Sequence, residues 1–300
     1  MANTFPPKLT VLEKLDLIPA NISLVATAIY AAITGIFRGQ KGAKSYMKHI
    51  NYAVIRKMLQ RLSTRQNQAT NPSTSGAYEI FARQNKIEAQ TVQLNYGGLG
   101  HWLGNKDAKN VLVYYHGGGF AISAGTAYFQ VLKGNNGGAQ RCRERYCYLC
   151  THVYSRTTCR IPNTAGAFHD CPVGFIFPRI SPSVKENALK DIIMPELAER
   201  WSSSYLAGQE TDNYNQPLLA PAEWWKDIKA RDLLIVAGSD EILLSCIEEF
   251  VEKLKSVLPN VTYIVGQDEP HVAPFIYLML GDKSTTQQDG GLRTWLSSRL

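Results

Sequence analysis

Val111-Leu-Val-Tyr-Tyr-His116-Gly117-Gly118-Gly119-Phe120 decides how the rest of the chain is read. The residues from Val111 to Tyr115 are uncharged and β-branched, aliphatic or aromatic, and they fit a strand covered on both faces, as in a parallel sheet. His116 and three glycines follow without a break. Glycine admits φ > 0 and lets the backbone approach a ligand that a Cβ would hold away. A buried strand that empties into bare N–H groups is suited to stabilising an oxyanion with preorganised backbone donors.

The segments on either side predict the sheet to which such a strand belongs. Residues 232–237 read as a buried strand, Gly238-Ser239-Asp240 as a turn, and residues 242–258 as an amphipathic helix. Residues 261–265 are the next strand, residues 266–271 a loop, and a final apolar helix lies near residues 275–280. Strand, loop and helix in alternation give a mostly parallel sheet flanked by helices, with functional groups on loops beyond the strands' carboxyl ends. Upstream, Tyr46, Ile50, Val54 and Leu59 recur near helical spacing within residues 43–62. Residues 63–76 read as a polar loop, and residues 78–82 and 87–94 alternate enough to predict two opening antiparallel strands. The expected organisation is an N-terminal cap, residues 1–70, followed by one α/β domain, residues 71–300.

His116-Gly-Gly-Gly-Phe120 after a strand resembles the oxyanion motif of the hormone-sensitive-lipase-like branch of the α/β-hydrolases. Gly238-Ser-Asp240-Glu-Ile-Leu and Glu269-Pro-His271 resemble that family's acid and base loops. The resemblance implies an α/β-hydrolase fold, a small-molecule ester or acyl substrate, and serine chemistry without a cofactor or metal. It makes Gly118 and Gly119 the oxyanion donors, His271 the base and Asp240 the acid that fixes its tautomer. Read from the residues alone, Asp240 could equally cap the helix it precedes, and His271 could be an exposed loop histidine. Over its length the chain looks most like fungal members of secondary-metabolite clusters, of the kind found in host-selective toxin pathways.

The nucleophile that such a site requires is missing, because no Gly-x-Ser-x-Gly occurs in the chain. Ser123-Ala-Gly125 has glycine on one side only, and Asn163-Thr164-Ala165-Gly166 has Pro162 where the first glycine should stand. The same interval has an unusual composition. Cys142, Cys147, Cys150, Cys159 and Cys171 crowd together, leaving only Cys246 elsewhere. Cys147-x-x-Cys150 with Cys159, His169 and Cys171 has zinc-like spacing, and a disulfide knot is a further alternative. A frame change explains more. Back-translated and read from the second codon base, residues 145–163 admit a buried strand followed by Tyr-x-Leu-Ala-Pro-x-x-x-Tyr-Pro, which resembles the strand and loop this family places after its oxyanion motif. Residues 134–171 are therefore read as out-of-frame sequence. Residues 174–181 resemble the next core strand, and the intervening strand–elbow–helix unit is expected to be lost.

The remaining features set boundaries. A net charge of +7 comes without a long basic run or aromatic interleaving, which argues against a nucleic-acid partner. Residues 17–37 carry no charge, and basic Arg38, Lys41 and Lys44 follow. Pro19, Asn21, Ser23, Thr27 and Thr34 make this segment less apolar than most membrane spans, so it is read as a cap helix, with membrane-surface contact as the alternative. Ser298-Arg299-Leu300 conforms to a Ser-Lys-Leu type of peroxisomal address, the alternative location being the cytoplasm.

Overall fold

Helix α1, Val11–Thr34, opens the chain with a capping box in which Thr10 and Glu13 satisfy one another's backbone N–H groups. Short 3-10 turns at Gly35–Phe37 and Gly39–Lys41 lead into α2, Tyr46–Arg61, which Ser45 caps. The two helices lie against one another, α1 burying Ala20 and Ala31 while Asp16 pairs with Arg61. Tyr52, Ile55 and Leu59 turn the other side of α2 into the main core. This computed structural model describes residues 6–94, 98–105, 110–119, 121–133, 146–152, 164–168, 181–216, 218–228 and 230–298.

Two upstream expectations are corrected. Residues 63–76 are not one loop: α3, Thr64–Thr70, and α4, Thr74–Asn85, occupy most of them. The strand expected at residues 78–82 is the middle of α4. Ala77, Tyr78, Phe81 and Ala82 satisfy the three- and four-residue spacing of a helix as well as they suggest alternation, and Ser73, whose side chain accepts the Gly76 N–H, fixes the helix start. The opening antiparallel pair lies further on, as β1, Thr91–Gln93, and β2, Leu99–Leu103. Tyr78 ties α4 to this pair, its hydroxyl donating to the Trp102 carbonyl and accepting the Gln90 N–H.

Beyond them come β3, Asn110–Tyr115, α5, Thr126–Lys133, β4, Tyr146–His152, and β5, Thr164–Phe168. Helices α6, Pro182–Asn187, and α7, Pro195–Leu206, precede β6, Ala230–Gly238. The chain closes with α8, Leu244–Lys255, β7, Val261–Gly266, α9, Ala273–Met279, and α10, Gln287–Ser297. Most of the expected strand at residues 174–181 lies outside the described residues.

Two ladders result, ordered β1-β2-β4-β3 and β5-β6-β7. The first is antiparallel until β4, where β3 joins in parallel; the second is parallel throughout. Among the described residues no strand hydrogen-bonds to the outer edge of β3 or of β5. Strand β6 explains its own unbroken apolar run. Leu233, Ile235 and Ala237 face the core shared with α2, α8 and α9, while Leu234 and Val236 meet Trp295 of α10 on the opposite face.

Candidate active site

Strand β3 delivers the chain into the glycine turn, and two different constraints require glycine there. Gly118 has φ +115°, and a Cβ on it would lie 2.4 Å from the Ile122 carbonyl oxygen. That carbonyl belongs to the turn itself, in which Ala121 and Ile122 donate back to the Gly118 oxygen. Gly119 has φ +60° and sits under the Trp201 indole, which a Cβ would approach to 2.4 Å. Helix α7 thus presses an aromatic lid onto bare backbone. Among the described residues, the N–H groups of Gly118 and Gly119 donate to no protein acceptor.

His116 braces the turn. Its Nδ1 lies 2.7 Å from the Gly117 carbonyl oxygen and its Nε2 3.2 Å from Thr74 Oγ1. A carbonyl accepts only, so Nδ1 carries the proton and Nε2 accepts from the threonine hydroxyl. Thr74 Oγ1 in turn accepts the Ala124 N–H at 3.2 Å. The first residue of α4 therefore holds both ends of the glycine turn.

The acid and base loops are clamped together at the ends of β6 and β7. Ser239 N–H donates to the Gly266 carbonyl at 2.8 Å and Asp240 N–H to the Glu269 carbonyl at 3.0 Å. His271 Nδ1 meets Glu241 Oε2 at 3.3 Å, and the other oxygen of Glu241 accepts the Gly238 N–H at 2.8 Å. Glu241, the neighbour of Asp240, is thus a carboxylate within reach of the imidazole. Asp240 instead faces Lys190 Nζ at 3.8 Å; burial raises its carboxyl pKa and Lys190 opposes that rise. Nor does Asp240 cap α8, whose N-cap position is Leu243. Glutamate is long enough to fold back from the turn toward both Gly238 and His271, whereas the Asp240 backbone is committed to Glu269.

A third carboxylate, unforeseen from the sequence, holds this pair. Asp191 is fully buried; its Oδ1 accepts the N–H groups of Ile192 and His271, and its Oδ2 accepts the N–H of Ile242. It therefore fastens Ile242, the residue after Glu241, to His271. Burial pushes its pKa up to about 6; the His271 charge opposes that rise and Glu241 adds to it. Asn187 donates to the Ser239 and Glu241 carbonyls from the same side, completing the support. Nothing in the local sequence marks Asp191, because its ligands are backbone groups dispersed along the chain.

Aromatic contacts connect the two halves. Phe275, one turn beyond His271, stacks on Tyr128 with centroids 4.2 Å apart, and Tyr128 meets the His116 ring edge-on at 6.2 Å. The arrangement provides two backbone donors and a carboxylate–imidazole pair, and serine chemistry would need a hydroxyl beside the imidazole. Residues 164–168, which include most of the candidate at residues 163–166, form strand β5 paired to β6 and are extended, unlike an elbow. Among the described residues no group of three or more His, Cys, Asp or Glu is placed to hold a metal. Of the zinc-like set, Cys147 and Cys150 belong to β4, and Cys159, His169 and Cys171 lie outside the described residues.

Helix-flanked ladders with parallel pairing at β3–β4 and throughout β5-β6-β7, a glycine turn after β3, and Glu241 and His271 on the loops after β6 and β7 fit the α/β-hydrolase fold. Solved structures agree. The chain is similar to an esterase of the bacterial hormone-sensitive lipase family, with 17% identity, 83% of this chain and 98% of that one covered, and a TM-score of 0.50. A double mutant of the esterase E40 gives 16% identity, coverages of 83% and 98%, and a TM-score of 0.54. EstE5 soaked with ethyl alcohol gives 14%, coverages of 82% and 98%, and 0.51. No family model and no curated protein matches the sequence.

Proposed function

We propose that this chain descends from serine ester hydrolases and, as its sequence stands, binds an acyl or ester ligand without turning it over. The observation that carries this reading is the site's one-sidedness: Glu241, His271, Gly118 and Gly119 are in place, while the sequence contains no Gly-x-Ser-x-Gly. Loss of the strand–elbow–helix unit agrees with the described strands forming two separate ladders rather than one. The esterase neighbours favour an ester as the ligand class. Purified protein given p-nitrophenyl esters should show no turnover above that of an His271→Ala variant. Turnover abolished by a serine-reactive phosphonate would overturn the reading.

The out-of-frame reading of residues 134–171 belongs to the same proposal, and a transcript encoding the present frame through them would sink it. A gene product defective for that reason is the second reading, favoured by the separation of the described strands into two ladders. We place the protein in peroxisomes on the strength of Ser298-Arg299-Leu300, in line with a role in fungal toxin-type secondary metabolism. A fluorescent fusion carrying this tail at its C-terminus should be punctate and become diffuse when Leu300 is removed; diffuse signal from the intact tail would reject the address.

A further inference from the structure

Helix α1 is inside out for a helix of a water-soluble surface. The face it turns to α2 carries Ala20, Ser23, Thr27 and Ala31, while Leu15, Ile18, Ile22, Val25, Ile29 and Ile33 form a continuous outward stripe. Ile22 is 64% exposed and Phe37, at the stripe's end, 85%. Among the described residues, this is the one helix long and apolar enough to cross a membrane by length and composition. Four of its polar side chains bond back to the helix. Asn21 donates to the Leu17 carbonyl, Ser23 to Ala20, Thr27 to Ser23 and Thr34 to Tyr30, so each closes its bond on the helix itself. Such closure is what an apolar surrounding requires.

We propose that the outward face of α1 docks on the surface of an anionic phospholipid membrane, the helix lying in the interfacial plane. Charge selects this occupant. Exposed Lys8 and Lys14 stand at one end of the stripe and exposed Lys41 at the other, beside Lys44, which pairs with Asp268, whereas Glu13 and Asp16 are turned to Arg65 and Arg61. A second copy laid on the same face would bring lysines against lysines in either direction. Anionic headgroups meet basic residues at both ends. The tethers set the orientation. Asp16 holds Arg61 near one end, and the Tyr46 hydroxyl donates to the Ala32 carbonyl near the other. The helix is thereby bound along α2, which carries the buried Arg56 and the ion-paired Lys48 and so cannot accompany it into hydrocarbon.

The full chain should co-float with vesicles of 70% phosphatidylcholine and 30% phosphatidylserine at least tenfold more than with phosphatidylcholine alone. High salt should reduce that preference. An Ile22→Glu/Ile29→Glu variant, altered only at outward positions, should lose flotation tenfold or more with an unchanged circular dichroism spectrum. A Lys8→Ala/Lys14→Ala/Lys41→Ala variant should lose the preference for phosphatidylserine. The proposal fails if the wild type floats with neither vesicle. It also fails if bound protein resists alkaline carbonate as a spanning helix would, or if light scattering shows a dimer that the double glutamate variant splits while vesicles have no effect. Ester turnover plays no part in these readouts, so they stand apart from the assay of the site.

Discussion

Gly238→Ala is expected to be among the most damaging single-methyl changes in this protein. A Cβ at position 238 would lie 2.1 Å from the Glu269 carbonyl oxygen, 2.7 Å from its carbon and 2.8 Å from the Pro270 oxygen. All three are backbone atoms, so no side chain can rotate away. The loop would have to move as a piece, stretching the bond from Asp240 N–H to Glu269 and carrying His271 from Glu241. Overpacking of this kind costs about 3 kcal/mol, which in a chain of this size lowers the thermal midpoint by roughly 5 °C. Gly290→Ala is the matched control. It lies within α10 with nothing in reach of an added Cβ, and should raise stability by about 0.5–1 kcal/mol through helix propensity. Thermal melts of the two variants test the pair; equal midpoints would show that the β6 and β7 loops are not in contact as described.

Asp191 is expected to dominate the pH dependence of stability. Asp191→Ala would strip three buried N–H groups of their acceptor, at Ile192, Ile242 and His271, and should cost roughly 3–5 kcal/mol. Asp191→Asn removes the titrating charge; its amide nitrogen cannot accept as Oδ2 does from the Ile242 N–H, a loss that is the same at every pH. The folded carboxyl titrates at about 6 against an ordinary 3.8, so the folded state holds the proton more tightly. Its stabilising contribution is then fully present below the unfolded value and is lost as the pH rises through the folded one. Between pH 7 and pH 4 the wild type should gain roughly 2 kcal/mol relative to Asp191→Asn. Urea unfolding of both proteins at the two pH values reads this difference directly. A constant gap would mean that the Asp191 proton affinity does not change on folding.

Neither prediction could have been written from the acid and base loops alone. Adjacent carboxylates at Asp240 and Glu241 are equivalent candidates in one dimension. Their fates separate because the Asp240 N–H is spent on Glu269 and its side chain turns to Lys190, while Glu241 reaches back to Gly238 and His271. Likewise Tyr78 and Phe81 fit two periodicities, and the choice fell to helix once Ser73 capped the turn and both rings found Phe129 of α5. Gln66 and Asn67, polar enough to suggest a loop, are buried because their amides are hydrogen-bonded within α3 and to α1.

By itself the sequence determined the glycine turn after β3, the alternation of β6, α8, β7 and α9, the loop that bears His271, and the absence of a Gly-x-Ser-x-Gly motif. Each is written in contiguous residues, where period, glycine content and motif spacing act locally. Tertiary structure alone decided that Glu241 meets the His271 imidazole, that Asp191 binds the two loops together, and that α1 turns its large side chains outward. Those outcomes depend on groups brought together from distant parts of the chain, and on which face of a helix its neighbour happens to cover.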